Sequence, residues 1–322
     1  MIGGLHDVQA PAGAQAQAIV GLWHWLLPIC TFVFVAVMIA LGMALWRAPR
    51  AGTDTAPDVA LLSKREPRVT RVVIAAVAVS TLLLLVLLAV SVMTDRVLAQ
   101  LPLENALHIE LTGYQWWWEA RYDDPDPSRM FTTANELHVP VGRPVIVTLV
   151  GADVIHSFWV PSLAGKKDLI PGRDTTVSFR ADRAGVYRGQ CAEFCGYQPA
   201  KMALYVIADP PDDYARWAER QRAPAAEPST DEARRGRDLF LARSCAMCHA
   251  INGTTAQARH APDLTHVASR MTIAAGALEN TPSNRTAWIL DPQQIKPGTK
   301  MPSENIAPQD LAALSAYLAS LQ

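Results

Sequence analysis

Two uncharged stretches limit what this chain can fold into more than any other feature. From Ile19 to Trp46 there is no Asp, Glu, Lys or Arg, and from Val72 to Met93 the chain again runs uncharged through VVIAAVAVSTLLLLVLLAVSVM. A helix rising about 1.5 Å per residue crosses a hydrocarbon core of ~30 Å within either stretch. Soluble cores seldom need unbroken apolar runs of this length. The sequence therefore predicts a two-helix transmembrane hairpin within residues 1–100, with spans at about 19–46 and 72–93 and the lipid bilayer as a partner.

Charge placement orients the hairpin. No Lys or Arg precedes Arg47, whereas Arg47, Arg50, Lys64, Arg65, Arg68 and Arg71 crowd the segment between the spans. By the positive-inside rule that segment is cytoplasmic. Both termini, and everything after Met93, then lie on the outer, periplasmic face of a bacterial inner membrane. No basic region precedes the first span, so a conventional cleaved signal peptide is not expected. A formal net charge of −1 gives no basic patch that would suit nucleic acid.

After the second span the pattern changes. HIELTGYQWWWEARY, ELHVP, PVIVTLV, TTVSFRA and ALYVIA alternate or are rich in β-branched residues, and turn signals separate them at Asp123-Asp124-Pro125, Val141-Gly142, Pro171-Gly172 and Ala184-Gly185. This is the pattern of a small all-β sandwich or barrel over 103–210. A Pro- and Ala-rich stretch follows, and 211–229 reads as a linker. Ser229-Thr-Asp-Glu232 has the form of a capping box opening a helix. The chain closes on LAALSAYLASL, where Leu311, Leu314, Leu318 and Leu321 share one helical face. Residues 230–322 are expected to form a small, mainly helical domain, and no internal repeat is visible.

Cys245-Ala-Met-Cys248-His249 matches C-x-x-C-H, the attachment signature for haem c. Two cysteines at this spacing can each form a thioether to one haem vinyl group, which places the adjacent imidazole against the iron. The same C-x-x-C pair could instead be redox-active or hold zinc. A helical domain outside the cytoplasm and the loop PGTKMP favour haem. Met301 in that loop supplies a thioether as sixth ligand, in competition with Met271, His260 and His266. Over 230–322 the chain resembles class I cytochromes c, with Pro262 to Leu264 similar to their mid-chain loop.

A second cluster of soft ligands lies in the β region. Cys191-Ala-Glu-Phe-Cys195, with Met202 beyond it and His156 upstream, combines thiolate, thioether and imidazole, a set that favours electron-transfer copper. A disulfide between the two cysteines is the competing reading in an oxidising compartment. GYQWWWEARY, VIHSFWVPSL, DLIPGR and GQCAEFCGYQ resemble subunit II of haem-copper cytochrome c oxidases. The order of spans, cupredoxin-like sandwich and cytochrome resembles the bacterial branch in which a cytochrome c domain is fused to the C-terminus.

The resemblance implies a dinuclear copper centre, CuA. Cys191 and Cys195 would bridge the coppers, His156 and Met202 would be terminal ligands, and the Glu193 carbonyl would complete the set, its carboxylate available to a magnesium ion at a subunit interface. It also implies Trp116 as the electron entry, although neighbouring tryptophans on a strand alternate faces and some are core packing. One family ligand is missing. The second histidine falls at Pro199, which has neither imidazole nor backbone N–H. A perturbed dinuclear centre, a single copper and an empty site with a disulfide all remain open.

With only His24 in the spans, this chain cannot build an oxygen-reducing centre. The resemblance implies that subunit I supplies it, with subunit III alongside and a soluble donor feeding the haem. Because of Pro199, two further readings compete: an electron carrier outside an oxidase, and a copper-binding or assembly factor. Cys30 in the first span reads as apolar packing.

Overall fold

A computed structural model describes residues 6–48, 66–99 and 102–322. They fall into two compact units, Ala18–Leu101 and Met1–Gln17 with Pro102–Gln322. Helices α1 (Ala14–Arg47) and α2 (Pro67–Ala99) contain the two apolar stretches. Both are long and apolar enough to cross a membrane, and their most apolar windows bury nothing within the chain. Phe32, Leu45, Trp46, Leu82, Leu84 and Met93 are all exposed. Apolar surface on that scale calls for lipid or another protein around it. Arg50, Lys64 and Arg65 of the basic segment lie outside the described residues.

The second unit begins its β structure with the hairpin β1 (Leu107–Tyr114) and β2 (Trp117–Asp123), in which Tyr114 pairs with Trp117. Strands β3 (Phe131–Ala134), β4 (Glu136–Pro140), β5 (Pro144–Gly151), β6 (His156–Phe158) and β7 (Lys167–Leu169) follow, then β8 (Thr175–Arg180), β9 (Gly185–Gln190) and β10 (Ala203–Asp209). A five-stranded sheet in the order β3-β2-β1-β5-β8 faces a three-stranded one in the order β4-β10-β9. Alternate side chains of β1 and β5 point inward. Ile109, Leu111, Val145, Val147 and Leu149 meet Leu137, Leu204 and Val206 of the other sheet in one core. This core also contains Trp116, Cys191, Cys195 and Met202.

The stretch 211–229 is not an extended linker throughout. Pro211–Arg222 forms helix α3, with Pro at its first position and Asp212 and Asp213 in its first turn, where they favour a helix N-terminus. Trp217 holds it to the sandwich by stacking on His138 at 4.1 Å and by edge contacts with Tyr122 and Phe131. Few apolar residues are needed for this docking, which is why a polar, Pro-flanked sequence conceals the helix.

Helix α4 (Asp231–Ala242) starts one residue later than the capping box implied. Thr230, not Ser229, is the N-cap, and its side chain accepts from the Ala233 amide. A short hairpin, β11 (Thr272–Ile273) with β12 (Leu278–Glu279), precedes α5 (Pro282–Leu290), α6 (Pro292–Ile295) and α7 (Pro308–Ser320). Leu311, Leu314, Leu318 and Leu321 are all buried, as their shared face predicts. Gly236 of α4 lies so close to α7 that a Cβ there would fall 1.9 Å from the Ala313 carbonyl oxygen.

Candidate copper and haem sites

His156, Cys191 and Cys195 come together as a buried group whose ligand atoms lie within 4.8 Å of one another. The local structure explains the gathering. β6 ends the VIHSF run with His156 pointing inward, and the loop after β9 brings Cys191 back so that its amide donates to the Met202 carbonyl at 3.0 Å. The sulfurs of Cys191 and Cys195 are 3.7 Å apart and unbonded, and His156 Nδ1 is 3.9 Å from Cys191 Sγ. The Glu193 carbonyl oxygen is 3.6 Å from the same sulfur, and Met202 is fully buried beside the group. The Glu193 carboxylate turns away and accepts from the Phe194 amide.

The electrostatics suit a cation. Hydrogen bonding from Cys195 holds the Cys191 thiol far below its ordinary value, while the same contact, reinforced by burial, pushes Cys195 well above it. Burial opposes the charged form of His156, but contacts with Cys191 and Asp153 outweigh it and raise the ring. Asp153 Oδ1 accepts from His156 Nε2 at 2.9 Å, which leaves Nδ1 to face the sulfur. Asp153 Oδ2 also accepts from the Gln115 amide.

Trp116 sits in the β1–β2 turn and is nonetheless buried. Its Nε1 and Gln115 Nε2 each donate at 2.8 Å to the Cys195 carbonyl. The other two tryptophans divide as the alternation predicts: Trp118 is fully buried, whereas Trp117 is half-buried and stacks on Tyr114 at 4.6 Å. Pro199 opens a tight turn, Pro199–Lys201, and its carbonyl accepts from Gln190 Nε2.

In the helical part, Cys245 and Cys248 are free thiols around a short turn, Ser244–Met247. His249 Nδ1 donates 2.7 Å to the Pro262 carbonyl, which fixes the ring and leaves Nε2 unengaged. Burial holds this ring below its ordinary value, with the Pro262 contact opposing. Met301 packs on the same core as Cys245, and Gln293 Nε2 holds its carbonyl at 3.0 Å. Of the competing candidates, His260 is exposed. His266 has both ring nitrogens against carbonyls, those of Gln322 and Ala223, and Met271 donates its amide to Glu136 across on β4.

Residues 107–208 match the family described as cytochrome c oxidase subunit II, periplasmic domain, and residues 233–322 match cytochrome c. Cytochrome c oxidase subunit 2 of Alkalihalophilus pseudofirmus is 41% identical over 220 residues, covering 68% of this chain and 62% of the relative. That of Bacillus sp. strain PS3 is 32% identical over 261 residues, covering 75% of this chain and 71% of the relative. The chain belongs to the cytochrome c oxidase subunit 2 family. The chain thus spans less than two thirds of its A. pseudofirmus relative and more than two thirds of the Bacillus one. Among solved structures, the periplasmic domain of subunit II of cytochrome oxidase from Bradyrhizobium japonicum is 34% identical, with a TM-score of 0.35, covering 38% of this chain and 97% of that one.

The residues present fit both groups that a subunit 2 with a cytochrome c domain implies. For copper, two thiol sulfurs and an imidazole nitrogen are gathered, with a carbonyl oxygen 3.6 Å from one sulfur and the buried Met202 in the same core. For haem c, the Cys245 and Cys248 thiols are free, and His249 Nε2 is unengaged among the described residues. Arg270 Nε and Arg285 Nε are buried without a hydrogen-bond partner, so this domain retains donors for the carboxylates a haem carries. Asp153, Gln115 and Lys296 carry no signal in the sequence that marks them as part of this site. Lys296 is 2% exposed, and burial pushes its ammonium down to about 7.

Proposed function

We propose that the chain is the electron-entry subunit of a respiratory cytochrome c oxidase, relaying electrons from haem c through copper to a haem-copper centre in subunit I, where oxygen is reduced and protons are translocated. One observation carries this reading: a haem-attachment sequence and a thiol–imidazole cluster occur on one chain, and the loop leading to Met301 packs on Trp116. When bound, haem c and copper supply one-electron redox centres.

The chain's own residues do the rest. Cys245 and Cys248 tether the haem covalently, and His249 and Met301 hold its iron. His156, Cys191, Cys195, Met202 and the Glu193 carbonyl hold the copper, in a CuA-type site altered by Pro199. Asp153 keeps His156 in one tautomer, and Trp116 is the entry point beside Cys195. The Glu193 carboxylate is available to a magnesium ion at the interface with subunit I, and subunit III and a soluble donor complete the set of partners.

Residues 1–100 anchor the chain in the bacterial inner membrane as a two-pass hairpin. Residues 103–210 carry copper and 230–322 carry haem on the periplasmic side, with 211–229 joining them through α3. Fusion makes the transfer between domains intramolecular and independent of a soluble pool.

Metal and optical analysis of the full chain, made with haem-attachment machinery and loaded with copper, tests the copper half of the reading. A copper-to-haem ratio near two with mixed-valence near-infrared absorption is the expected result. Haem without stoichiometric copper would sink the relay. Pro199 favours a second reading, an electron carrier or copper-binding assembly factor outside an oxidase. Purification without a many-span haem subunit would support it.

A further inference from the structure

Lysine ammonium groups are almost never buried without a reason, because desolvation is costly. Lys296 is buried, and both its acceptors are backbone carbonyls: Trp116 of the copper domain at 2.5 Å and Ala274 of the haem domain at 3.1 Å. The side chain therefore bridges the two domains at the residue whose indole holds Cys195. The loop around it repeats the contact. Gln198 Nε2 donates to the Pro297 carbonyl at 3.0 Å, and Lys201 Nζ donates to that of Ile295. Gly298, at φ +86°, lets backbone approach the indole so closely that a Cβ would fall 3.2 Å from the Trp116 ring.

We propose that Lys296 and Gly298 form a fixed seat for the haem domain on Trp116, with Lys296 as a positioning residue, so that the chain's own haem domain occupies the entrance to the copper site. The proposal rests on the electron-relay reading. Its consequence is that a soluble donor reaches only the haem domain and does not touch Trp116 directly. A lysine in a loop is usually solvated, and a solvated Lys296 would donate to neither carbonyl.

Three measurements on the full, haem-loaded chain test the seat. Amine acylation of the unmodified protein, read by mass spectrometry, should label the exposed Lys300 and spare Lys296; equal labelling would overturn the proposal. Lys296→Met keeps the apolar stem and removes the donors. It should raise backbone hydrogen exchange in both 113–118 and 292–301 by about tenfold or more while α4, α7 and the haem absorption are unchanged. Unchanged exchange at 113–118 would also overturn it.

In copper-loaded protein the same variant should slow haem-to-copper transfer by about tenfold while leaving reduction of the haem by a soluble donor unaltered. Unaltered transfer would remove the positioning role. Labelling and exchange do not depend on electron flow, so a seat that is present in a chain unable to reduce copper would refute the relay reading alone.

Discussion

The indole of Trp116 donates to the carbonyl oxygen of Cys195 at 2.8 Å, which joins the turn of the first β-hairpin to the loop that carries both thiols. The tryptophan's ring lies against Gly298 on the haem side. One residue thus touches the Cys195 backbone with its Nε1 and the Met301 loop with its ring edge.

Trp116→Phe keeps an aromatic ring and removes the donor, while Gln115 still holds the Cys195 carbonyl. The variant should fold with normal haem absorption. Flash-initiated reduction should show haem-to-copper transfer slower by about tenfold, equivalent to about 1.4 kcal/mol in barrier.

Pro199→His puts an imidazole at the position where this chain departs from the histidine that the resemblance implies, and it keeps the backbone carbonyl that accepts from Gln190. Copper retained against a competing chelator should rise by roughly tenfold to hundredfold. Equal retention in the two proteins would mean that the ligand set is already complete without residue 199.

Gly236→Ala forces a methyl group into the Ala313 carbonyl, and neither backbone can yield cheaply. The haem domain should lose about 2 kcal/mol or more, measured by denaturant titration of the full chain. The sandwich, followed through its tryptophans, should unfold at its usual midpoint.

Glu136 is buried, and it accepts from the amides of Met271 at 2.7 Å and Thr272 at 3.1 Å. Burial raises it above the ordinary carboxylate value, with Arg270 and the amide donors opposing. The native chain therefore binds this proton more tightly than the unfolded chain. Its contribution to stability is fully present below the ordinary carboxylate value of 4.5 and is lost as pH rises through the raised one. Glu136→Gln should flatten the fall in stability expected as pH rises above about 4.5.

Legibility of this protein in its sequence depends on how local each signal is. The spans follow from uncharged length, and C-x-x-C-H is contiguous, so both can be read directly. Cys191, Cys195 and Met202 share one loop, but His156 is distant in sequence and joins them only through the sandwich topology. Lys296 and Gly298 carry no signal, because a lysine and a glycine in a Pro-flanked loop read as a solvated turn until the facing domain is in place. Glu136 is hidden in the same way, as a charged residue at the start of a short strand that also carries His138. Helix α3 escaped because its docking needs little beyond Trp217 and Tyr214.

Gln198 and Lys201 flank Pro199, and both reach across to carbonyls of the loop 295–297. A change in this turn is therefore felt by both domains. Over evolutionary time the turn and the loop cannot drift separately. In related chains that carry both domains, residues 198–201 should covary with 295–298, although nearly a hundred positions separate them.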